Sequence, residues 1–281
     1  AEKLFVEISQ LDAYNLGTEH PDAMISAAIL ADFYMNTERH ELAEPLLLKI
    51  IKIRQQNLGE SDERTLNSIA ELGVLYRDQD RWEEALVCYA RIAEALKERE
   101  GPEHIETQKA LFDWALCCMD AGEREQGILQ LNTLLDLREQ TLGTGHEQTL
   151  LVSNELAHIC IDEEQYERAI ELFSRDLPYH EEHENEEDWC WCIYNIAECF
   201  QRMEHYKDAE LHYQKALQSG RRYYGDMDLE VAFLYGELGK CFEKQERYRT
   251  ASHYREKSFQ IHLECTTVTN EETQDALIAW I

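Results

Sequence analysis

Apolar residues recur along this chain in a fixed large–small–large order. Leu30-Ala31, Leu72-Gly73, Trp114-Ala115, Leu156-Ala157, Ile196-Ala197 and Leu238-Gly239 each set a large residue beside a small one. Tyr34, Tyr76, Cys118, Cys160, Phe200 and Phe242 follow three positions after the small residue. That spacing predicts an apolar stripe on a helix, with the small residue admitting a close neighbour. Twelve residues later a second small residue stands, at Ala43, Ala85, Gly127, Ala169, Ala209 and Ala251, with steps of 42, 42, 42, 40 and 42. Each unit therefore reads as two packed helices joined by a polar turn such as Arg77-Asp78-Gln79-Asp80. Gly17, Gly59, Gly101 and Gly143, again 42 apart, are placed to end the second helices.

Repetition at such a period marks an array of stacked supersecondary units. The unit resembles a tetratricopeptide repeat, lengthened from the usual length of about 34 residues to 42, as in kinesin light chains. Leu16-Gly17-Thr18-Glu19-His20-Pro21 looks like that group's Leu-Gly-x-x-His-Pro connector. Leu142-Gly143-Thr144-Gly145-His146 repeats it, with Glu147 in place of the proline, while Asp62 stands where a histidine would follow Leu58-Gly59.

The resemblance implies an all-α fold, a right-handed α-solenoid of helix-turn-helix repeats forming a single array over residues 1–281. Full repeats are expected at 23–64, 65–106, 107–148, 149–188, 189–230 and 231–268. Residues 1–22 would hold the second helix of a truncated repeat, and 269–281 the first helix of another. The chain then reads as an excerpt of a longer protein. Its ends lack the polar caps of terminal repeats, so they are expected to expose apolar faces and promote self-association.

Composition narrows the function classes. Lys and Arg number 27 against 57 Asp and Glu, a formal charge of −30. Nucleic-acid binding draws on clustered cations, so that class is set aside. With 44% hydrophobic residues a core can form, yet no apolar run approaches the ~20 residues of a membrane span. Nine cysteines, an odd number, suit a reducing, cytoplasmic setting in which most act as small core hydrophobes. Cys190-Trp191-Cys192, with His180 and His183 nearby, falls short of the roughly four converging ligands of a zinc site, so no metal or other cofactor is expected. No phosphate loop, zinc-protease helix or nucleophile elbow occurs. His20, His104 and His146 recur with the repeat, which is a structural signature because catalysis needs one constellation. An enzyme is therefore not the expectation.

Each first helix carries a second face, at spacings of 3, 4 and 3 residues. In the family that face lines a concave groove. In the second unit it offers Asn67 and Arg77; from the third unit, which adds Lys109, it turns apolar with Phe112, Leu116, Met119, Leu151 and Ile161. Trp191, Tyr194 and Phe233 continue it, and Asn154, His158, Glu198 and Lys240 add polar groups. These residues are the expected peptide-binding set, with aromatic anchors for a peptide or helix of a protein partner. The other reading is a superhelix closed over them as plain core. Asn67, Arg77, Lys109 and Asn154 do not fall in the arrangement of the family's carboxylate clamp, and His158 suits a groove hydrogen bond better than a general base.

The 40-residue step falls where Pro178 lies late in a second helix and the connector becomes Glu181-Glu182-His183-Glu184-Asn185-Glu186-Glu187-Asp188. It is either a solvated acidic turn or a recognition loop or hinge, and Trp189 and Trp191 follow at once. Residues 1–200 hold 16 basic and 43 acidic side chains, whereas 201–262 hold 11 and 10. A basic or amphipathic partner is the expectation. Two other readings stay open: a sensor or oligomerisation region of a larger signalling receptor, and a small-molecule-binding or enzyme-associated solenoid.

Overall fold

A computed structural model describes residues 2–265, so the helix expected at 269–281 lies outside the described residues. Among the described residues there are thirteen helices and no strand. They divide into two compact units, split between Thr141 and Leu142. The first unit runs α1 (Glu2–Leu16), α2 (Pro21–Met35), α3 (His40–Leu58), α4 (Glu63–Arg77), α5 (Trp82–Glu100), α6 (Ile105–Asp120) and α7 (Arg124–Thr141). The second runs α8 (Glu147–Asp162), α9 (Tyr166–Glu182), α10 (Glu186–Arg202), α11 (Tyr206–Tyr223), α12 (Leu229–Lys244) and α13 (Tyr248–Cys265). Within each unit every helix packs against the next, so the fold is all-α and solenoidal in class.

The small residues sit where helices cross. Ala31, Ala43, Ala85, Ala115, Ala157, Ala169, Ala197 and Ala209 are fully buried. A Cβ on Gly73 would lie 3.2 Å from Cys88 Cβ and 3.3 Å from the Tyr89 ring, so α4 and α5 touch there with no slack. In the first unit the core gathers Leu30, Leu47, Ile69, Leu72, Leu75 and Leu96; in the second it gathers Tyr213, Leu234, Leu238 and Phe242. All nine cysteines are free thiols, eight of them buried. The apolar residues Leu4, Ile8 and Leu11 of α1 are exposed.

Connector chemistry explains the recurring histidines. The Nδ1 atoms of His20, His104 and His146 accept the backbone N–H groups of Asp22, Glu106 and Gln148 at 3.2–3.3 Å. Each histidine is therefore the N-cap of the following first helix, satisfying a donor that the helix itself cannot. Asp62 does the same for Arg64 N at 3.0 Å, and Asp228 for Glu230 N at 2.9 Å. The residue type changes while the acceptor position persists. Asp62→Ala is expected to cost about 1 kcal/mol, read by urea denaturation, whereas Asp62→Asn should keep most of it. Equal losses in both would assign the effect to the Asp62–Arg64 ion pair instead of the cap.

A second recurrent device joins neighbouring second helices. Arg39, Arg81 and Arg247 reach back 37 residues to Glu2, Glu44 and Glu210 at 2.7, 2.8 and 2.6 Å. The same guanidinium groups lie over the rings of Tyr34, Tyr76 and Phe242 at 4.7, 4.3 and 4.4 Å. The Arg81 hydrogen bond holds the Glu44 carboxyl below its ordinary range. Such half-exposed pairs contribute modestly one by one, but they fix how one hairpin meets the next.

The 40-residue step is absorbed locally. α9 continues through Pro178 to Glu182, so the proline deletes a backbone donor without ending the helix. Gly59 (φ 97°) shows how the other connectors turn; here Glu184 takes the left-handed conformation (φ 52°) and Asn185 caps α10 through Asp188 N.

Candidate functional site

In the second unit a cleft of about 850 Å3 opens among α8, α9 and α10. α8 presents Leu151, Asn154 and His158, three and four residues apart on one face. α10 presents Trp191, Tyr194 and Asn195, and its first turn contributes Asp188. α9 supplies Asp176, Tyr179 and His180.

The aromatic wall is held from behind. Trp191 and Tyr194 meet edge to face with ring centroids 5.4 Å apart, and Phe233 of α12 lies 6.1 and 5.3 Å from them. Trp191 Nε1–H donates to Tyr224 Oη at 3.0 Å, and that hydroxyl donates to Glu187 Oε1 at 3.1 Å. The indole N–H is thereby satisfied and the ring orientation set. Burial, first, then the Glu198 and Glu237 charges raise the Tyr194 phenol, which stays neutral. These are rigid, partly exposed rings of the kind that anchor partners.

α9 and the first turn of α10 supply polar groups. Asp176 and His180 are 4% and 5% exposed. Asp176 Oδ1 lies 3.6 Å from Arg175 Nε. Asp188 Oδ2 accepts Asn185 Nδ2–H at 2.6 Å and lies 3.8 Å from His180 Nδ1, which has no hydrogen-bond partner. Burial pushes the imidazole of His180 below its ordinary pKa, partly opposed by Asp188. Burial also pushes the thiol of Cys192 up to about 12, so it is no nucleophile. Among the described residues no cluster of three His, Cys, Asp or Glu is placed to hold a metal ion.

The remaining expected site residues spread more widely. Ile161 is buried. Glu198 pairs with Arg202 at 2.7 Å and Lys240 with Glu237 at 2.7 Å. Arg221, Arg222 and Arg247 are likewise engaged with carboxylates, so the cations of that stretch are largely answered locally. In the first unit Asn67 and Lys109 are exposed, and Arg77 pairs with Asp120 at 3.4 Å. Phe112 is buried beneath the Arg138 guanidinium, 5.5 Å from its ring, while Leu116 and Met119 are half-buried.

The acidic connector and the tryptophans that follow it contribute Asp188 and Trp191 to one cleft. Asp176 and Tyr179 line the cleft without belonging to the expected set, and His180 lines it where the sequence suggests only a weak metal ligand. Their spacing of three and four along α9 was the available signal.

This is a helix-hairpin repeat protein with a cleft between two of its first helices and the second helix that joins them. The tetratricopeptide repeat family model matches residues 22–98 and 192–264, just over half of the chain, and the protein belongs to that family. No curated protein is matched by sequence. Among solved structures, the nearly identical TPR-like repeats of a candidate kinesin light chain from Podosopora anserina are 18% identical, with a TM-score of 0.59 over 72% of this chain and 97% of that one. BtubC (BKLC) from P. vanneervenii is 13% identical, TM-score 0.62, over 86% and 92%. The apo form of RapI is 17% identical, TM-score 0.64, over 98% and 86%. At these identities the likeness is one of fold. Among the described residues no helix is long and apolar enough to cross a membrane.

Proposed function

We propose that this protein is a non-catalytic interaction scaffold that binds a peptide or helix of a protein partner along the exposed face of its first helices. The observation that carries this reading is the Trp191–Tyr194–Phe233 cluster, whose rings stay partly exposed beside the cleft while Tyr224 fixes the indole. A face meant only for water has no use for three supported rings. Leu151 extends the apolar surface along α8, and Asn154 and His158 offer hydrogen bonds beside it. The formal charge of −30 favours a basic or amphipathic partner.

Peptides selected on the intact protein by display, then measured by calorimetry, test the reading. Trp191→Ala or Tyr194→Ala is expected to cost roughly 2 kcal/mol or more of affinity, the scale of a hot spot. Unchanged affinity in both variants would reject the groove, and binding that ignores added salt would reject its electrostatic part.

A further inference from the structure

The polar wall of the cleft sharpens the partner's chemistry. The cleft is lined by the carboxylates of Glu147, Asp176 and Asp188, and by no lysine or arginine. Asp176 has Arg175 beside it, but the Asp188 side chain is 57% exposed and its visible partners are the Asn185 amide and the distant His180 ring. Acidity alone would specify nothing. The independent observation is His180: it lines the cleft, is nineteen-twentieths buried, and its Nδ1 lacks any partner. Leaving a buried polar atom without a hydrogen bond is costly, so such an atom beside an open carboxylate marks a place where a partner is missing.

We propose that this cleft is a socket for an arginine side chain of a partner peptide. A guanidinium carries five N–H donors in a planar fork and stacks on aromatic faces. Here it would donate to Asp188 and to His180 Nδ1, with its flat face toward Trp191 or Tyr194, an arrangement that cation–π attraction reinforces. The neutral imidazole suits this role, because its Nε2–H tautomer leaves Nδ1 as an acceptor. A lysine ammonium would satisfy Asp188 but, as a compact point charge, cannot span both acceptors and stack. A chain-terminal carboxylate would meet three like charges. The inference rests on the cleft being a partner-binding surface, and it adds which side chain that surface selects.

The test titrates Nα-acetyl-arginine N-methylamide into the intact protein and follows the Trp191 indole N–H by NMR, the signal being assigned by its loss in Trp191→Phe. The citrulline counterpart, equal in shape and uncharged, is titrated in parallel. The arginine amide is expected to shift the signal saturably, with citrulline and lysine amides at least tenfold weaker. Asp188→Asn, at an exposed position that leaves the core untouched, should weaken the arginine amide at least tenfold. Equal binding of arginine and citrulline amides, no shift with either, or an unchanged response in Asp188→Asn would overturn the proposal. A displayed peptide without arginine that binds while the arginine amide does not would remove the socket and leave the groove. Binding of the arginine amide with no peptide bound would remove the peptide groove and leave the socket.

Discussion

Replacing Leu72 by alanine is expected to remove about 2–5 kcal/mol of stability, with the result toward the upper end. Leu72 lies on α4, 4% exposed, in the cluster that also holds Tyr76, Cys88 and Tyr89. The loss has two parts: the transfer energy of the missing methylenes, and the void that remains if the surroundings cannot close. Closure is obstructed here. The adjacent Gly73 already brings α5 to van der Waals contact, so the helices cannot slide together to fill the hole. Urea unfolding followed by circular dichroism measures it. Because stability in such arrays is distributed over neighbouring repeats, a fall in the slope of the transition, not only in its midpoint, would show the first unit unfolding separately. A loss below about 0.5 kcal/mol, the size of an ordinary surface change, would mean that Leu72 does not sit at the helix interface.

The positions that repeated every 42 residues were readable because packing imposes them. A residue at a helix crossing has no alternative to being small, and those alanines are fully buried. What escaped was chemistry that tolerates substitution. The N-cap acceptor is a histidine in three connectors and an aspartate in two others, so residue identity hides a constant role. The Arg39, Arg81 and Arg247 contacts span 37 residues, a separation that no periodicity of apolar residues reports.

Depth within the second face of the first helices was also invisible, for a geometric reason. A row spaced 3, 4 and 3 covers ten residues, which at 3.6 per turn ends about 80° short of three full turns. The first and last members of a row therefore point in different directions. On α8, Leu151 opens to the cleft at 47% exposure whereas Ile161, ten residues on, is buried. The share of the cleft taken by α9 depends on how that helix is rotated ahead of the shortened connector, and residue spacing alone carries no such angle.

Phe173→Ala is expected to cost about 3–5 kcal/mol, the range for removing a buried phenylalanine. Phe173 is fully buried on α9 and meets the His158 ring edge to face, with centroids 5.6 Å apart. It thus links the helix that supplies Asp176, Tyr179 and His180 to the helix that supplies Leu151 and Asn154. Those α9 residues stand one and two turns beyond Phe173, so slack at position 173 is transmitted to the polar wall. Phe173→Leu keeps most of the volume and should cost roughly 1.5 kcal/mol or less. Calorimetric melting of both variants separates volume from shape. The Trp191 indole N–H signal reports the cleft at a temperature where Phe173→Ala is still folded. If Phe173→Ala melts as the parent does, α9 is not seated on α8 through this ring. If it is destabilised while the indole signal stays unmoved, Trp191 is fixed by Tyr224 and Phe233 alone, and the two walls of the cleft are held independently.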